Sequence, residues 1–478
     1  MKLRRVASKT LLAFAVVGVG TLASARDLPA EVEAALERAQ VPARAMVALV
    51  QEVDSSRPRL AWQTRQPVNP ASLMKLYTTF AALELLGPAW RWSTPVWLQG
   101  SVRDGVLDGD LVIKGSGDPT LVMERLWLML HRVQQLGVRE IRGDIVLDRS
   151  GFTQPEHDPA GFDAEPLRPH NVGADALLLN YKSLTLTFAP DPSRALAVVS
   201  SDPPLAATSV DASVPLGAGP CDDWRAGLRI DFTDPARLRL AGAYPASCGE
   251  KTWPVAHPDA RGYNAQALAG LWREIGGSLS GSVRDGSAPA TRPSFEFASP
   301  SLADVVRDIN KFSNNVMAQQ LFLSLALVQR GSASPQAARE VLRDWIDARL
   351  GPGASDVVID NGSGLSRSAR TSALSLARLL MVAWTSPVMP ELMSSLPVAG
   401  LDGTLRRARM QPGRSHLKTG SLRDVVGIAG YVLSASGRRY VVVAIVNHPN
   451  AGAARPALEA LTQWAAADPL PLATRPAP

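Results

Sequence analysis

Short apolar runs at residues 45–50 and 59–63, with polar Asp54-Ser55-Ser56 between them, predict two strands of a hairpin. The period then changes to that of a helix. Leu73, Leu76, Tyr77, Phe80 and Leu83 fall on one face, Asn69 is placed as the N-cap, Pro70 fits the first helical position, and Gly87-Pro88 stops the run. From about residue 92 to 300 the texture becomes one of short strands divided by turn residues, at 94–99, 111–114, 145–147 and 184–188, with Asp104-Gly105 as a turn signal. That region carries one predicted helix, 121–136, ended by Gly137, and a Pro/Asp/Gly-rich loop at 155–170. Helices return at 302–310, 315–330, 335–349 and 372–386. A hairpin of 425–433 and 438–446 around the turn 434–437, then a helix at 454–466, closes the pattern, and no segment repeats.

A chain of 478 residues is too long for one ordinary domain, and 46% hydrophobic with 20% charged residues is a globular composition. The first 25 residues have the three parts of a secretory signal: basic Lys2, Arg4, Arg5 and Lys9, an apolar stretch at 11–22, and small residues Ala23-Ser24-Ala25. Cleavage is expected near Arg26, and the product is expected in the periplasm. The four basic residues account for most of the net charge: without them +6 becomes +2. No Lys/Arg run with interleaved aromatics remains, so nothing points to nucleic acid. Elsewhere the longest apolar run, 316–328, is interrupted by Gln319 and Gln320, and the Pro-rich end, 469–478, forms no amphipathic helix, so no membrane anchor is expected. Export makes a disulfide between the only two cysteines, Cys221 and Cys248, the expected state, a constraint typically worth about 2–4 kcal/mol. Neither cysteine has clustered partners for a metal, no cofactor motif is present, and oligomeric state has no signature.

The candidate chemistry lies in three short motifs. Ser72-Leu73-Met74-Lys75 puts a hydroxyl and an amine one helical turn apart, where a neutral lysine can take the serine proton and the helix N-terminus favours the developing alkoxide. The chain has eight lysines, so this spacing alone is weak, and a second copy exists at Ser415-His416-Leu417-Lys418. That copy leads into a predicted strand, where positions three apart face opposite sides. Ser313-Asn314-Asn315 is the only Ser-x-Asn, and by itself reads as a helix cap. Lys418-Thr419-Gly420 is the only Lys-Thr-Gly, a tripeptide that random composition supplies in roughly 4% of chains this long. What carries weight is the three motifs occurring in this order, each in suitable local structure.

This triple resembles that of the penicilloyl-serine transferases, and most closely the class C low-molecular-mass penicillin-binding proteins, the D-alanyl-D-alanine carboxypeptidase/endopeptidases. Further matching stretches are Gly115-Ser116-Gly117-Asp118-Pro119-Thr120-Leu121, Asp360-Asn361-Gly362-Ser363-Gly364-Leu365-Ser366-Arg367 and Gly400-Leu401-Asp402-Gly403-Thr404-Leu405. The roughly 240 residues between Lys75 and Ser313 leave room for the family's inserted domains. The resemblance implies an α+β fold, a DD-peptidase/serine β-lactamase-like core of antiparallel sheet flanked by helices, built from residues 27–92 and 298–470. It also implies two mostly β inserted domains within 93–297, leaving 471–478 as a tail. It implies that Ser72 attacks the penultimate D-alanine carbonyl of a peptidoglycan stem peptide, with Lys75 as base. Ser313 would relay the proton to the leaving amine, with Lys418 nearby keeping the electrostatics of that relay favourable, Asn315 would hold the substrate's backbone amide, and Thr419 and Ser421 would bind the terminal carboxylate. The N–H groups of Ser72 and Ser421, beside Gly420, would form the oxyanion hole. β-Lactams are the expected covalent inhibitors. Asp148, in Gly143-Asp144-Ile145-Val146-Leu147-Asp148, resembles an insert residue that contacts the substrate's side-chain amine.

Two other readings share these features. A serine β-lactamase has the three motifs but is usually much shorter, and a non-catalytic wall-binding scaffold would tolerate loss of Ser72, Lys75, Ser313 or Lys418. A Ser-His-Asp hydrolase lacks support: there is no Gly-x-Ser-x-Gly, and the six histidines, His416 and His448 among them, show no partner pattern.

Overall fold

A strand near the start of the chain pairs with the last one. In the computed structural model, which describes residues 27–234 and 236–468, Met46–Glu52 runs antiparallel to Arg439–Asn447, with Met46 opposite Val446 and Glu52 opposite Tyr440. The predicted signal and the 471–478 tail lie outside the described residues. Five strands form one antiparallel sheet in the order Ser415–Leu422, Val425–Leu433, Arg439–Asn447, Met46–Glu52, Pro58–Trp62. Both faces of this sheet are covered, which is why its central strands read as unbroken apolar runs. Val47 and Leu49 enter one core with Val441, Val443 and Ile445, while Met46, Ala48 and Val50 enter the other with Val442, Ala444 and Val446. The second face is closed by Arg455–Ala466 and by Ala30–Arg38, a helix the sequence pattern did not suggest.

The helix expected from Asn69 starts later and more tightly. Ala71–Met74 is a 3-10 turn that runs into the α-helix Lys75–Leu86. Asn69 acts at its start as expected, its Oδ1 accepting from the Ala71 N–H at 2.8 Å. The single apolar face does not hold, since every residue from Lys75 to Leu83 is buried. The helix runs through the middle of the first core, in contact with Leu302–Phe312, Asn315–Arg330 and Pro335–Leu350. A helix with neighbours on all sides has no stripe to display. Its hydroxyls are satisfied internally, Thr78 donating to the Gly362 carbonyl and Thr79 to that of Lys75, both at 2.7 Å.

The chain leaves this core at Ser93 and returns at Ala298, and the two residues face each other in one strand pair. Between them lie a seven-stranded sheet and, further along, a five-stranded and a three-stranded sheet. Helices Met123–Gln135 and Tyr263–Glu274 pack on the first of these. The second helix was not expected. Its apolar stripe, Ala267, Leu268, Leu271 and Trp272, is interrupted by Asn264, which is buried because its amide donates to the Leu177 carbonyl at 2.8 Å. Cys221 and Cys248 are disulfide-bonded beside the core of the smaller sheets. The predicted loop crosses back to the core, where the Arg367 guanidinium lies 4.6 Å from the Phe162 ring. Phe162, His170, Asn361 and Arg367 line a cleft of about 370 Å³ there.

Candidate active site

Ser72 sits on a turn that is held under backbone strain. Ala71 has φ 47, the left-handed region that costs a residue with a Cβ on the order of 1 kcal/mol. Two glycines grip that turn from opposite sides. A Cβ on Gly364, itself at φ 77, would lie 1.9 Å from the Ala71 carbonyl oxygen, and one on Gly420 would lie 2.7 Å from that of Pro70. Asn69 adds a third grip, accepting no slack: its N–H donates to Asn447 Oδ1 at 2.8 Å and its amide to the Ser366 carbonyl at 2.9 Å. The nucleophile turn is therefore fixed between the Ser415–Leu422 strand and the 360–367 loop.

The 3-10 turn eclipses positions three apart, and it brings Lys75 Nζ to 3.0 Å from Ser72 Oγ. Lys75 Nζ has two further partners, Asn315 Oδ1 and the Ser363 carbonyl oxygen, both at 2.6 Å. Both of these accept hydrogen bonds and donate none. A neutral amine has two N–H bonds and one lone pair, so giving its hydrogens to Asn315 and Ser363 aims the lone pair at the Ser72 hydroxyl. Burial, and after it the charge of Lys418, holds the Lys75 amine well below the usual lysine range. Geometry and electrostatics thus favour the same protonation state.

Ser313 ends the Leu302–Phe312 helix in the left-handed conformation, φ 56. The N-cap of Asn315–Arg330 is supplied by Asn314, whose side chain accepts from the Met317 N–H, so Ser313 and Asn315 are left for other work. Lys418 Nζ donates to Ser313 Oγ and to the Thr419 carbonyl, each at 2.8 Å, and burial alone pulls it down to about 7. Thr419 Oγ1 donates to Thr404 Oγ1 at 2.7 Å, and Ser421 Oγ accepts from Arg455 at 3.0 Å. Ser72 and Asn315 are therefore joined by one buried amine, Lys75, and Ser313 is held by a second, Lys418, whose charge reaches the first, with Thr419 and Ser421 following on the edge strand.

Asp148 does not join them. It is buried at the end of Ile145–Asp148, with one oxygen accepting from the N–H and hydroxyl of Ser150 and the other from the Ala288 N–H at 2.8 Å. Burial pushes this carboxyl up, but those hydrogen bonds and the Lys114 charge outweigh it and hold it below the usual range. Its carboxylate fixes a turn of the inserted sheet, with both oxygens engaged within that sheet. Sequence reading also passed over groups that the structure brings to the site. The Ser363 carbonyl leaves no side-chain trace. Lys311, buried two residues before Ser313, pairs with Asp402 at 2.6 Å and ties the Ser-x-Asn turn to the 400–405 stretch that holds Thr404. Among the described residues no group of three or more His, Cys, Asp or Glu is arranged to hold a metal ion.

Residues 28–468 match the D-Ala-D-Ala carboxypeptidase 3 (S13) family. The chain is 30% identical over 426 residues to a D-alanyl-D-alanine carboxypeptidase of Actinomadura sp. (strain R39), covering 80% of this chain and 74% of that one. Among solved structures it resembles penicillin binding protein 4 of Haemophilus influenzae, with a TM-score of 0.73 at 21% identity over 90% of this chain and 99% of that one. It also resembles a predatory endopeptidase of Bdellovibrio bacteriovorus acylated by penicillin G, with a TM-score of 0.53 at 14% identity over 88% and 91% of the two chains.

Proposed function

The chain belongs to the D-Ala-D-Ala carboxypeptidase 3 (S13) family, and from that premise we propose a role for each residue of its site. The enzyme is a serine-type D-Ala-D-Ala carboxypeptidase/endopeptidase that acts on peptidoglycan stem peptides through an acyl-serine and is acylated by β-lactams. Ser72 Oγ attacks the carbonyl carbon of the penultimate D-alanine while its proton passes to the Lys75 lone pair. The N–H groups of Ser72 and Ser421 hold the oxyanion, each donor contributing about 2.7–4 kcal/mol in comparable hydrolases. Asn315 binds the substrate's backbone amide through its side-chain amide, and Thr419 and Ser421 bind the terminal carboxylate. As the tetrahedral carbon collapses, the C–N bond breaks and the leaving amine takes the Ser313 hydroxyl proton, which is replaced by the proton Lys75 took from Ser72, so that Lys75 is neutral again and Ser313 a hydroxyl, with Lys418 hydrogen-bonded behind it. Water then attacks the acyl-serine, and the proton it loses returns Ser72 to its hydroxyl form.

The observation that carries this assignment is the set of three contacts made by Lys75 Nζ, which leaves its lone pair for Ser72 alone. The proposal extends to organisation and place. Residues 27–92 and 298–470 form the catalytic domain around 93–297, and the enzyme works in the periplasm after loss of residues 1–25. No helix among the described residues is long and apolar enough to cross a membrane. Intact-mass measurement after benzylpenicillin tests the assignment. One adduct per chain, retained in wild type and absent from Ser72→Ala, is expected; an adduct that persists in Ser72→Ala would assign the nucleophile elsewhere, and drug hydrolysed without an adduct would favour a β-lactamase.

A further inference from the structure

Arg455 opens the last helix and stands beside Ser421, at the far end of the Lys-Thr-Gly strand from Lys418. Several arginines in this protein find an acid: Arg367 pairs with Asp424, Arg349 with Glu84, Arg149 with Asp175. Arg455 does not. Among the described residues no carboxylate lies within 4.0 Å of it, and its hydrogen bond goes to a neutral hydroxyl, Ser421 Oγ, at 3.0 Å. A partner was available. Glu459 is four residues along the same helix, a spacing at which ion pairs form, yet its carboxylate accepts from the Arg409 N–H at 3.2 Å instead. The guanidinium is thus turned toward the strand edge, exposed, with most of its N–H donors uncommitted.

The hydroxyls beside it are arranged to give rather than take. Ser421 accepts from Arg455, which leaves its own hydrogen to donate, and Thr404, accepting from Thr419, is in the same position. An anionic group placed at this edge meets hydroxyl donors and a fork of charged N–H donors whose spacing suits a carboxylate. A ligand amide or ester there would bring no opposite charge to the guanidinium and would offer it a weaker acceptor.

We propose that Arg455 is the specificity residue for the free carboxylate of the substrate's last residue, acting together with Ser421. This rests on the reading of the active site given above, in which Ser421 lies beside the leaving residue. The charge of Arg455 selects a peptide whose scissile amide is followed at once by an ionised carboxylate, and it disfavours the same peptide with that carboxylate blocked.

The test compares diacetyl-lysyl-D-alanyl-D-alanine with its C-terminal carboxamide, in wild type, Arg455→Ala and Arg455→Lys. Removing one charge-assisted contact lowers kcat/KM for the acid by about 10- to 100-fold. The carboxamide is expected to change by less than about threefold, so the acid/amide ratio collapses, and Arg455→Lys is expected to restore part of it because the charge remains. Arg455 is exposed, so an unchanged Tm verifies that the fold is intact. An equal loss on both peptides, or undiminished cleavage of the acid by Arg455→Ala, overturns the assignment. Failure of the underlying reading has a different signature: wild type cleaves neither peptide and benzylpenicillin leaves Ser72 unmodified, and the assignment then falls with it.

Discussion

The chain contains the same tetrad, serine and lysine three residues apart, at 72–75 and at 415–418, and the two do different things. At 72–75 the backbone is a 3-10 turn entering a helix, and the lysine amine reaches its own serine at 3.0 Å. At 415–418 the backbone is a strand, so the side chains of Ser415 and Lys418 leave from opposite faces, and the amine donates instead to Ser313, 105 residues away in sequence. Both lysines are fully buried, and burial lowers both amines. The difference lies in what occupies their hydrogens. Spacing makes such a pair possible, and the local backbone decides whether the proton can pass within it.

Substituting the serines separates the two tetrads most sharply. Ser72→Ala is expected to lower D-alanine release by about 10⁴-fold or more, the scale of losing a hydrolase nucleophile, while Ser415→Ala changes it by less than about threefold. A comparable loss in both variants, with both folded, would remove the distinction.

Lys418→Met tests the same contrast through stability, with opposite signs for activity and fold. A lysine lowered to about 7 in the folded state and near 10.4 unfolded leaves the unfolded chain holding more protons between those values. Its contribution to wild-type stability therefore rises from pH about 7 to about 10, and below that window it is a full penalty. Lys418→Met is expected to reduce kcat by about 100-fold yet raise stability at pH 7 by on the order of 2 kcal/mol, after loss of its hydrogen bonds, with the gain shrinking toward pH 10. Denaturant melts at the two pH values measure this. Destabilisation that is the same at both would mean that the amine is not buried at the cost of its charge.

Gly420→Ala tests whether the strand tetrad supports the helical one. The added Cβ meets the Pro70 carbonyl, and the turn must shift. A loss of about 1–3 kcal/mol in stability is expected, with β-lactam acylation slowed about tenfold or more. Acylation at the wild-type rate would show that the Ala71 turn needs no such grip. Asp148→Asn should have the smallest effect, with kcat/KM within about twofold of wild type on peptides with or without a side-chain amine and a stability loss of about 1 kcal/mol from its altered turn. A loss confined to amine-bearing peptides would restore the substrate contact first expected of it.

These contrasts also mark what the sequence could convey. The three motifs, the decoy and the order of the late elements were legible, because side-chain identity and period are written residue by residue. The apolar stripe of Lys75–Leu86 was misread because central burial removes the polar face that a stripe is judged against. Asn264 hid the Tyr263–Glu274 helix for a related reason, a buried amide satisfied by a distant carbonyl. For Asp148, only the fold supplies the Ala288 N–H that its second oxygen accepts from. The Ser363 carbonyl, which completes the Lys75 environment, belongs to the backbone and has no letter of its own.

Acyl transfer at Ser72 requires Lys75 to rest as a neutral amine beside it, and a lysine titration tests this most directly. With only eight lysines in the chain, side-chain Nζ and Cε resonances can be followed by NMR from pH 5 to 11 and assigned with Lys75→Met and Lys418→Met. Three resonances are expected to titrate below the ordinary range: one near 7 and lost in Lys418→Met, one well below 10.5 and lost in Lys75→Met, and that of buried Lys182, which neither substitution removes. A Lys75 resonance that titrates with the exposed lysines near 10.4 would contradict it, since the amine would then be charged at working pH and its lone pair unavailable to the nucleophile.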